Sequence, residues 1–327
     1  MPYLPLAAST HGPAPVATGP AEAAATDPTR LVCVVVTRDR APLLRRCLRA
    51  VAAQTRRPDH VVVVDNGAHP DTERVVAESG LPHTYLPSRA NLGGAGGFAY
   101  GVLTARALGA DWVWLADDDG MPGSPWTLGR LLACAADHDL DVVSPLVVDE
   151  EDPDRLAFPL RRGLRWVRRA AELGPDVLVP DVANLFNGAL FSARALDVVG
   201  VPDSRLFVRG DEVEIHRRLR RSGLAFGTCA PAAYHHPQGH DDWAPLWGGR
   251  AHVLVPRDPS RRDLTFRNLG YLTNQPGLRW RRGPDALRYA WYFLVQQRDP
   301  SGFANWRRHH RAGRLEHFGS APSRGIV

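Results

Sequence analysis

Over its first 120 residues this chain alternates short apolar runs of strand length with stretches of helical period. Residues 31–36 (LVCVVV), 61–64 (VVVV) and 112–116 (WVWLA) are bulky, apolar and bounded by polar residues, as strands buried on both faces of a parallel sheet are. Between the first two, Leu43, Leu44, Cys47, Leu48 and Val51 recur at helical spacing, which predicts strand–helix–strand. A further helical stretch is predicted from Phe98 to Leu108, ahead of the third strand. The reading is an α/β fold with a mostly parallel sheet, whose ligands belong at the carboxyl ends of the strands.

The residues at those ends are chemically pointed. The second run closes on Asp65-Asn66-Gly67, where a carboxylate can accept hydrogen bonds from a base or ribose. Residues 91–98 read NLGGAGGF, a glycine-rich loop ahead of a helix, where backbone can approach phosphate closely. The third run closes on Asp117, Asp118 and Asp119. Three adjacent carboxylates repel one another and are costly without a cation. A divalent metal held by Asp117 and Asp119 explains them; so does an acidic turn. Acidic tip, glycine loop and aspartate run in one α/β unit point to a nucleotide–diphosphate–metal site.

The second half adds three segments. LFNGALF at 185–191 sets Asn187 and Gly188 in an apolar context, either as a turn or facing an acceptor sugar. The stretch 206–223, LFVRGDEVEIHRRLRRSG, predicts a helix opened by Asp211, Glu212 and Glu214 and closed by arginines. Acids first and bases last complement the helix dipole, while an acid pair after a glycine turn also suits a general base. AAYHHPQGHDDW at 232–243 offers His235, His236 and His240 as a nitrogen ligand that a Mn²⁺-type site accepts.

Charge divides the chain. Residues 1–249 carry 25 Arg against 30 acids, and residues 250–327 carry 15 Arg against 5, with no lysine anywhere. The basic end also holds Trp280, Tyr289, Trp291, Tyr292, Phe293, Phe303 and Trp306, a mixture suited to an anionic membrane surface or to a solvated helix face over an aromatic core. The apolar run 289–295 is far below the ~20 residues of a spanning helix. Residues 1–29, rich in Ala, Pro and Thr, read as a disordered extension without signal-peptide order. Cys33, Cys47, Cys134 and Cys229 lack C-x-x-C spacing and fall in apolar settings, so buried free thiols of a reducing cytoplasm are expected. The organisation expected is an extension (1–29), a catalytic domain (30–249) and a helical, Arg- and aromatic-rich region (250–327).

The order of Asp65, NLGG, the DDD run, an acid pair opening a helix and a histidine resembles the inverting family 2 glycosyltransferases of GT-A fold. NLGGAGGF, DWVWLADDDG, RLAFPLRRGL, LFNGALF, RGDEVEIHRRL and FGTC resemble the actinobacterial galactofuranosyltransferases that start cell-wall galactan, over roughly residues 31–320. The Q-x-x-R-W motif of processive synthases is absent. The resemblance implies UDP-galactofuranose as donor. Thr37, Arg40 and Asp65 would hold the uridine, Asn91, Gly93 and Gly94 would lie near the ribose and diphosphate, and Asp118 is counted with the donor-binding residues. Asp117, Asp119 and His236, with His235 as rival, would bind Mn²⁺ or Mg²⁺. Glu212 would be the base, Asp211 would orient the acceptor, and Asn187 and Gly188 would contact it. The acceptor implied is a polyprenyl-diphosphate-linked N-acetylglucosamine–rhamnose at the inner membrane face, with no nucleic acid involved. Rival readings are a rhamnosyltransferase using a dTDP-sugar and a non-catalytic, nucleotide-binding membrane adaptor. A nicotinamide dehydrogenase is disfavoured, because the glycines do not follow the first strand.

Overall fold

A computed structural model describes residues 29–162, 165–174, 177–237 and 242–319. It begins β1 (Leu31–Thr37), α1 (Ala41–Ala52), β2 (His60–Asp65), α2 (Pro70–Ala77), β3 (His83–Pro87), α3 (Gly93–Ala107) and β4 (Trp112–Asp117). Every residue of β1 is buried, and successive side chains feed opposite cores. Cys33 and Val35 pack with Leu44 and Leu48 of α1, while Val32, Val34 and Val36 pack with Phe98 and Val102 of α3. An unbroken apolar run is what a strand covered on both faces requires.

There follow β5 (Met121–Pro122), α4 (Thr127–Asp137), β6 (Val142–Asp149), β7 (Arg155–Arg162), β8 (Arg165–Arg169), β9 (Leu178–Pro180), β10 (Ala189–Ser192), α5 (Ala193–Val199), α6 (Asp211–Ser222) and β11 (Phe226–His236). The main path of the sheet is β3-β2-β1-β4-β10-β6-β11-β5. Strands β3, β2, β1 and β4 are mutually parallel, β10 runs antiparallel between β4 and β6, and β11 is parallel to β6. Register places Thr37 beside Asp65 and Val36 beside Asp117, so three predicted tips end at one edge. β11 shifts register between Cys229 and Ala233, then carries His236 level with Asp149 at that same edge.

The chain closes with a paired β12 (Trp243–Leu246) and β13 (Ala251–Leu254), then α7 (Pro259–Leu272), α8 (Arg282–Ala290), a π-helical turn (Trp291–Gln296) and α9 (Pro300–Arg314). The change of charge near residue 249 falls in the turn between β12 and β13. Phe266, Tyr289, Phe293 and Trp306 form an aromatic core joining these elements. Tyr289, Phe293 and Trp306 are therefore packed inside, whereas Trp280 is 68% and Trp291 39% exposed. Among the described residues no helix is long and apolar enough to cross a membrane.

The glycine run differs from its expectation. It is not a loop before the helix but the first turn and a half of α3, which starts at Gly93. A Cβ on Gly97 would lie 2.6 Å from Val36 Cγ1, so the helix packs on β1 too closely for any larger residue. The four cysteines are buried and unpaired, as their apolar settings predict. Residues 1–28 of the expected extension, and His240, lie outside the described residues.

Candidate active site

The common edge opens into a cavity of about 2170 Å³, walled on one side by the ends of β1 and β4 and on the other by α6, α7 and residues 277–289. On the strand side Thr37 Oγ1 donates to Asp118 Oδ2 at 2.7 Å, and Arg40 Nη1 lies 3.4 Å from Asp118 Oδ1 and 3.1 Å from Asp119 Oδ2. Burial pushes the Asp118 carboxyl up to about 6, against the pull of Thr37 and Arg40. Asn91 and Gly93 meet through a 2.9 Å bond from the Gly93 N–H to Asn91 Oδ1. Gly93 and Gly94, at the start of α3, line the cavity; Gly96 and Gly97 do not.

Asp65 departs from its expected position. It is fully buried and does not line the cavity. One of its oxygens accepts from the Gly67 N–H, the other from the His69 N–H and the Tyr85 hydroxyl, so it shapes the turn after β2. Its neighbour Asn66 does reach the wall, donating to the Gly93 carbonyl at 3.1 Å and accepting from the Leu92 N–H at 3.3 Å. Asn66 was missed in sequence; an amide next to a strand-tip acid is common turn chemistry and carries no separate signal.

Among the described residues one set of metal-ligating side chains converges. Asp117, Asp119 and His236 offer ligand atoms that all lie within 4.8 Å of one another. His236 Nδ1 lies against the Pro237 carbonyl, and Nε2 is the atom turned to Asp119 Oδ1 at 3.2 Å. Strand alternation sends His235 to the other face, beside Gly123, which separates it from its neighbour. Although Asp117 keeps some surface open to the cavity, its surroundings push its carboxyl well above the ordinary range, through desolvation first and then Asp119, Asp118, Asp211 and Glu212. Burial works against ionised Asp119 too, but His236 and Arg40 outweigh it and hold that carboxyl below its usual value. Two carboxylates and an imidazole nitrogen, crowded by further negative charge, fit a Mn²⁺ or Mg²⁺ ion.

The opposite wall carries the acid pair. Residues 207–210 turn tightly into α6, with positive φ at Phe207 (61°), Arg209 (67°) and Gly210 (94°). Non-glycine residues hold such angles only where neighbours impose them. Here the neighbour is α7: Asn268 Nδ2 lies within 3.0 Å of the carbonyl oxygens of Leu206, Val208 and Arg209. On the other side Gly93 presses on the same turn, since a Cβ there would fall 2.1 Å from the Phe207 carbonyl oxygen. Burial raises Asp211 to about 6 and Glu212 to about 7, the latter against a 2.8 Å bond from the Leu185 N–H to Glu212 Oε1. A carboxylate poised near neutrality is what proton transfer at physiological pH needs. Asn268 was not legible in sequence, being one polar residue within a helix.

Asn187 lines the cavity and is buried; its Nδ2 donates to Asn184 Oδ1 at 2.9 Å, while its own Oδ1 has no partner among the described residues. Gly188 does not line the cavity. It has φ 84°, a Cβ on it would strike the Tyr234 ring at 2.4 Å, and its carbonyl accepts from the Trp114 indole at 2.8 Å. Its expected contact with the acceptor is thus replaced by packing under the site.

Residues 32–195 match the family described as Glycosyl transferase family 2. The chain belongs to that family. It is 56% identical to the galactofuranosyltransferase GlfT1 of Mycolicibacterium smegmatis, covering 89% of this chain and 98% of the relative, and 55% identical to GlfT1 of Mycobacterium tuberculosis, covering 88% and 96%. An N-acetylglucosaminyl-diphospho-decaprenol L-rhamnosyltransferase of Mycobacterium tuberculosis is 27% identical over 79% of this chain and 91% of its own. In three dimensions the family 2 chain is similar to S. aureus TarS 1-349 in complex with UDP-GlcNAc (TM-score 0.57, 14% identity, 89% of this chain and 83% of that one). The likeness extends to GalNAc-T7 with UDP, GalNAc and Mn²⁺ (TM-score 0.50, 15% identity, 86% and 55%). The fold is that of the GT-A glycosyltransferases, with a mixed, mostly parallel sheet and C-terminal helices, as the resemblance implied.

Proposed function

We propose that this family 2 enzyme transfers galactofuranose from UDP-galactofuranose to a polyprenyl-diphosphate-linked N-acetylglucosamine–rhamnose, the first step of a cell-wall galactan. One observation carries the reading: the Asp117–Asp119–His236 set and a carboxyl raised to about 7, Glu212, face each other across one cavity. Identity of 55–56% over nearly whole chains to two galactofuranosyltransferases supports the choice of donor. Asp117, Asp119 and His236 hold Mn²⁺ or Mg²⁺, which when bound supplies Lewis-acid neutralisation of the departing UDP. Thr37, Arg40, Asp118, Asn91 and the start of α3 at Gly93 and Gly94 place the nucleoside diphosphate. Glu212 accepts the proton of a rhamnose hydroxyl as that oxygen bonds to the anomeric carbon; the bond to UDP breaks on the opposite face and the configuration inverts. Asp211, packed against Gly94, and Asn187 Oδ1, which has no hydrogen-bond partner among the described residues, orient the acceptor.

The acceptor's lipid tail requires a membrane face. Leu287, Trp291, Leu294 and Val295, at helical spacing along α8 and the π turn, are all exposed, as are Trp280 and Trp247. Apolar residues in a strongly basic region suit peripheral contact with anionic lipid at the inner face of the cytoplasmic membrane. Incubation with UDP-galactofuranose, Mn²⁺ and a synthetic lipid-linked disaccharide, read by mass spectrometry, tests the reaction. Addition of hexose mass is the result expected. Transfer from dTDP-rhamnose instead, or from no donor at all, selects one of the two rival readings.

A further inference from the structure

The cavity contains more positive charge than a donor site uses. Helix α6 lays one face along its wall: Glu212, His216 and Arg220 follow at successive turns, with Arg217 and Arg221 beside them, and all line the cavity. At the helical rise of 1.5 Å per residue, the arginines stand about 7 to 13 Å beyond Glu212. That is about the length of two linked hexose rings. Near them is Gly277, after α7, whose Cβ position is 3.9 Å from Arg221 Nη1; Arg281, paired with Asp285 at 3.6 Å, lines the same cavity.

The helix dipole explains why α6 ends in bases. It does not explain why they are incompletely paired among the described residues. Arg217 pairs through Nη2 with Glu214 at 2.7 Å, but its Nε is buried with no hydrogen-bond partner among the described residues. Neither Arg220 nor Arg221 forms an ion pair there. Two guanidinium groups without an ion pair among the described residues, beside a third that is only partly paired, on one wall of the cavity suit an oxygen-rich anion. The donor's diphosphate does not fill this role, since it belongs beside Gly93, Gly94 and the aspartates at the other end of the helix.

We propose that Arg217, Arg220 and Arg221 form a second anion subsite that binds the diphosphate linking the acceptor sugars to their lipid. The inference rests on the reaction proposed above. Helix α6 then measures the acceptor: charge is held at one end while the sugar hydroxyl meets Glu212 at the other. Such an enzyme reads how far the reacting hydroxyl lies from the diphosphate.

The test compares the wild type with the doubly substituted Arg220→Gln/Arg221→Gln protein, whose changed side chains are exposed and form no ion pair among the described residues, and whose folding is checked by circular dichroism. Two acceptors are used, the disaccharide on a lipid diphosphate and the same disaccharide on a neutral alkyl chain. For the diphosphate acceptor KM should rise about tenfold or more, the scale of lost charge-assisted hydrogen bonds. KM for UDP-galactofuranose and for the neutral acceptor should hold. Equal losses with both acceptors, no loss with either, or a raised donor KM would each overturn the subsite. Binding to phosphatidylglycerol vesicles separates the other source of phosphate: if vesicle binding falls while acceptor discrimination survives, the arginines hold a lipid headgroup and the proposal is wrong. Should the wild type transfer galactofuranose to neither acceptor, the reaction reading fails, and calorimetry with inorganic pyrophosphate in EDTA still decides the subsite. Heat seen with wild type and lost in the variant supports it; equal heats refute it.

Discussion

The two carboxylate groups of the cavity are built in opposite ways. The aspartates after β4 stand on a rigid strand end and are compensated from several sides: Asp118 by Thr37 and Arg40, Asp119 by Arg40 and His236. The acid pair stands on a strained turn, and the bond given to Glu212 comes from the Leu185 backbone rather than from a cation. His236 and Arg40 hold the Asp119 carboxyl below its usual value, whereas burial raises Glu212 to about 7. The contrast is therefore between Asp119 and Glu212: Asp117 and Asp118, on the same wall as Asp119, are raised by burial as Glu212 is.

Breaking the first wall should have the largest effect. Asp119→Ala is expected to lower turnover by about 10³-fold, corresponding to the several kcal/mol a metal ion supplies. Calorimetry should show UDP binding that no longer depends on Mn²⁺; retention of that dependence would remove Asp119 from the metal set. In the wild type Mn²⁺ affinity should fall with falling pH, because the raised Asp117 carboxyl takes up a proton that the metal must displace.

The second wall should respond less in rate and differently in pH. Glu212→Gln should keep UDP binding and lose roughly 10²-fold or more in kcat. A base works only when ionised, so wild-type kcat should climb as pH rises through about 7 and be low at pH 5. A flat profile over that range, or an active Glu212→Gln beside a dead Asp211→Asn, would exchange the two roles.

Two smaller effects sharpen the comparison through its supports. Asn268→Ala strips the bonds that hold the turn under the acid pair, and should cost about 1–3 kcal/mol in urea unfolding. It should lower kcat more than the donor KM, since the aspartate wall is untouched. Leu287→Ala, at a position 62% exposed, should shift stability within about 0.5 kcal/mol while weakening binding to anionic vesicles. Unchanged vesicle binding would leave the exposed stripe without a lipid role.

The strands, the helices α1 and α6 and the aspartate run at a strand end were legible in sequence because each rests on local pattern, whereas His236, which converges with Asp117 and Asp119, was singled out only by the family resemblance. The runs at 31–36, 61–64 and 112–116 are strands, and register alone brings their ends together. What was hidden depends on distant neighbours. Asp65 and Gly188 resemble contact residues, yet Tyr85 and Tyr234 decide that one is turned inward and the other packed beneath the site. The glycine run reads as a loop until the nearness of Val36 shows it to be helix. Trp306 and Trp291 look alike in a basic, aromatic tail; the core around Phe266 separates them.

The position of β10 also bears on how the polypeptide leaves the ribosome. Strands β1 to β4 can pair as they emerge, each next to one already made. β6 cannot. Almost wholly apolar and buried, it lies between β10 and β11, both synthesised later, and before them meets only a single pairing, of Val148 with Leu156 in β7. At roughly 5–20 residues per second, translation leaves that strand without its main partners for on the order of seconds. The nascent chain therefore carries an uncovered aggregation-prone segment at 142–149, and its dependence on chaperones should concentrate in the interval between the synthesis of β6 and that of His236, the end of β11.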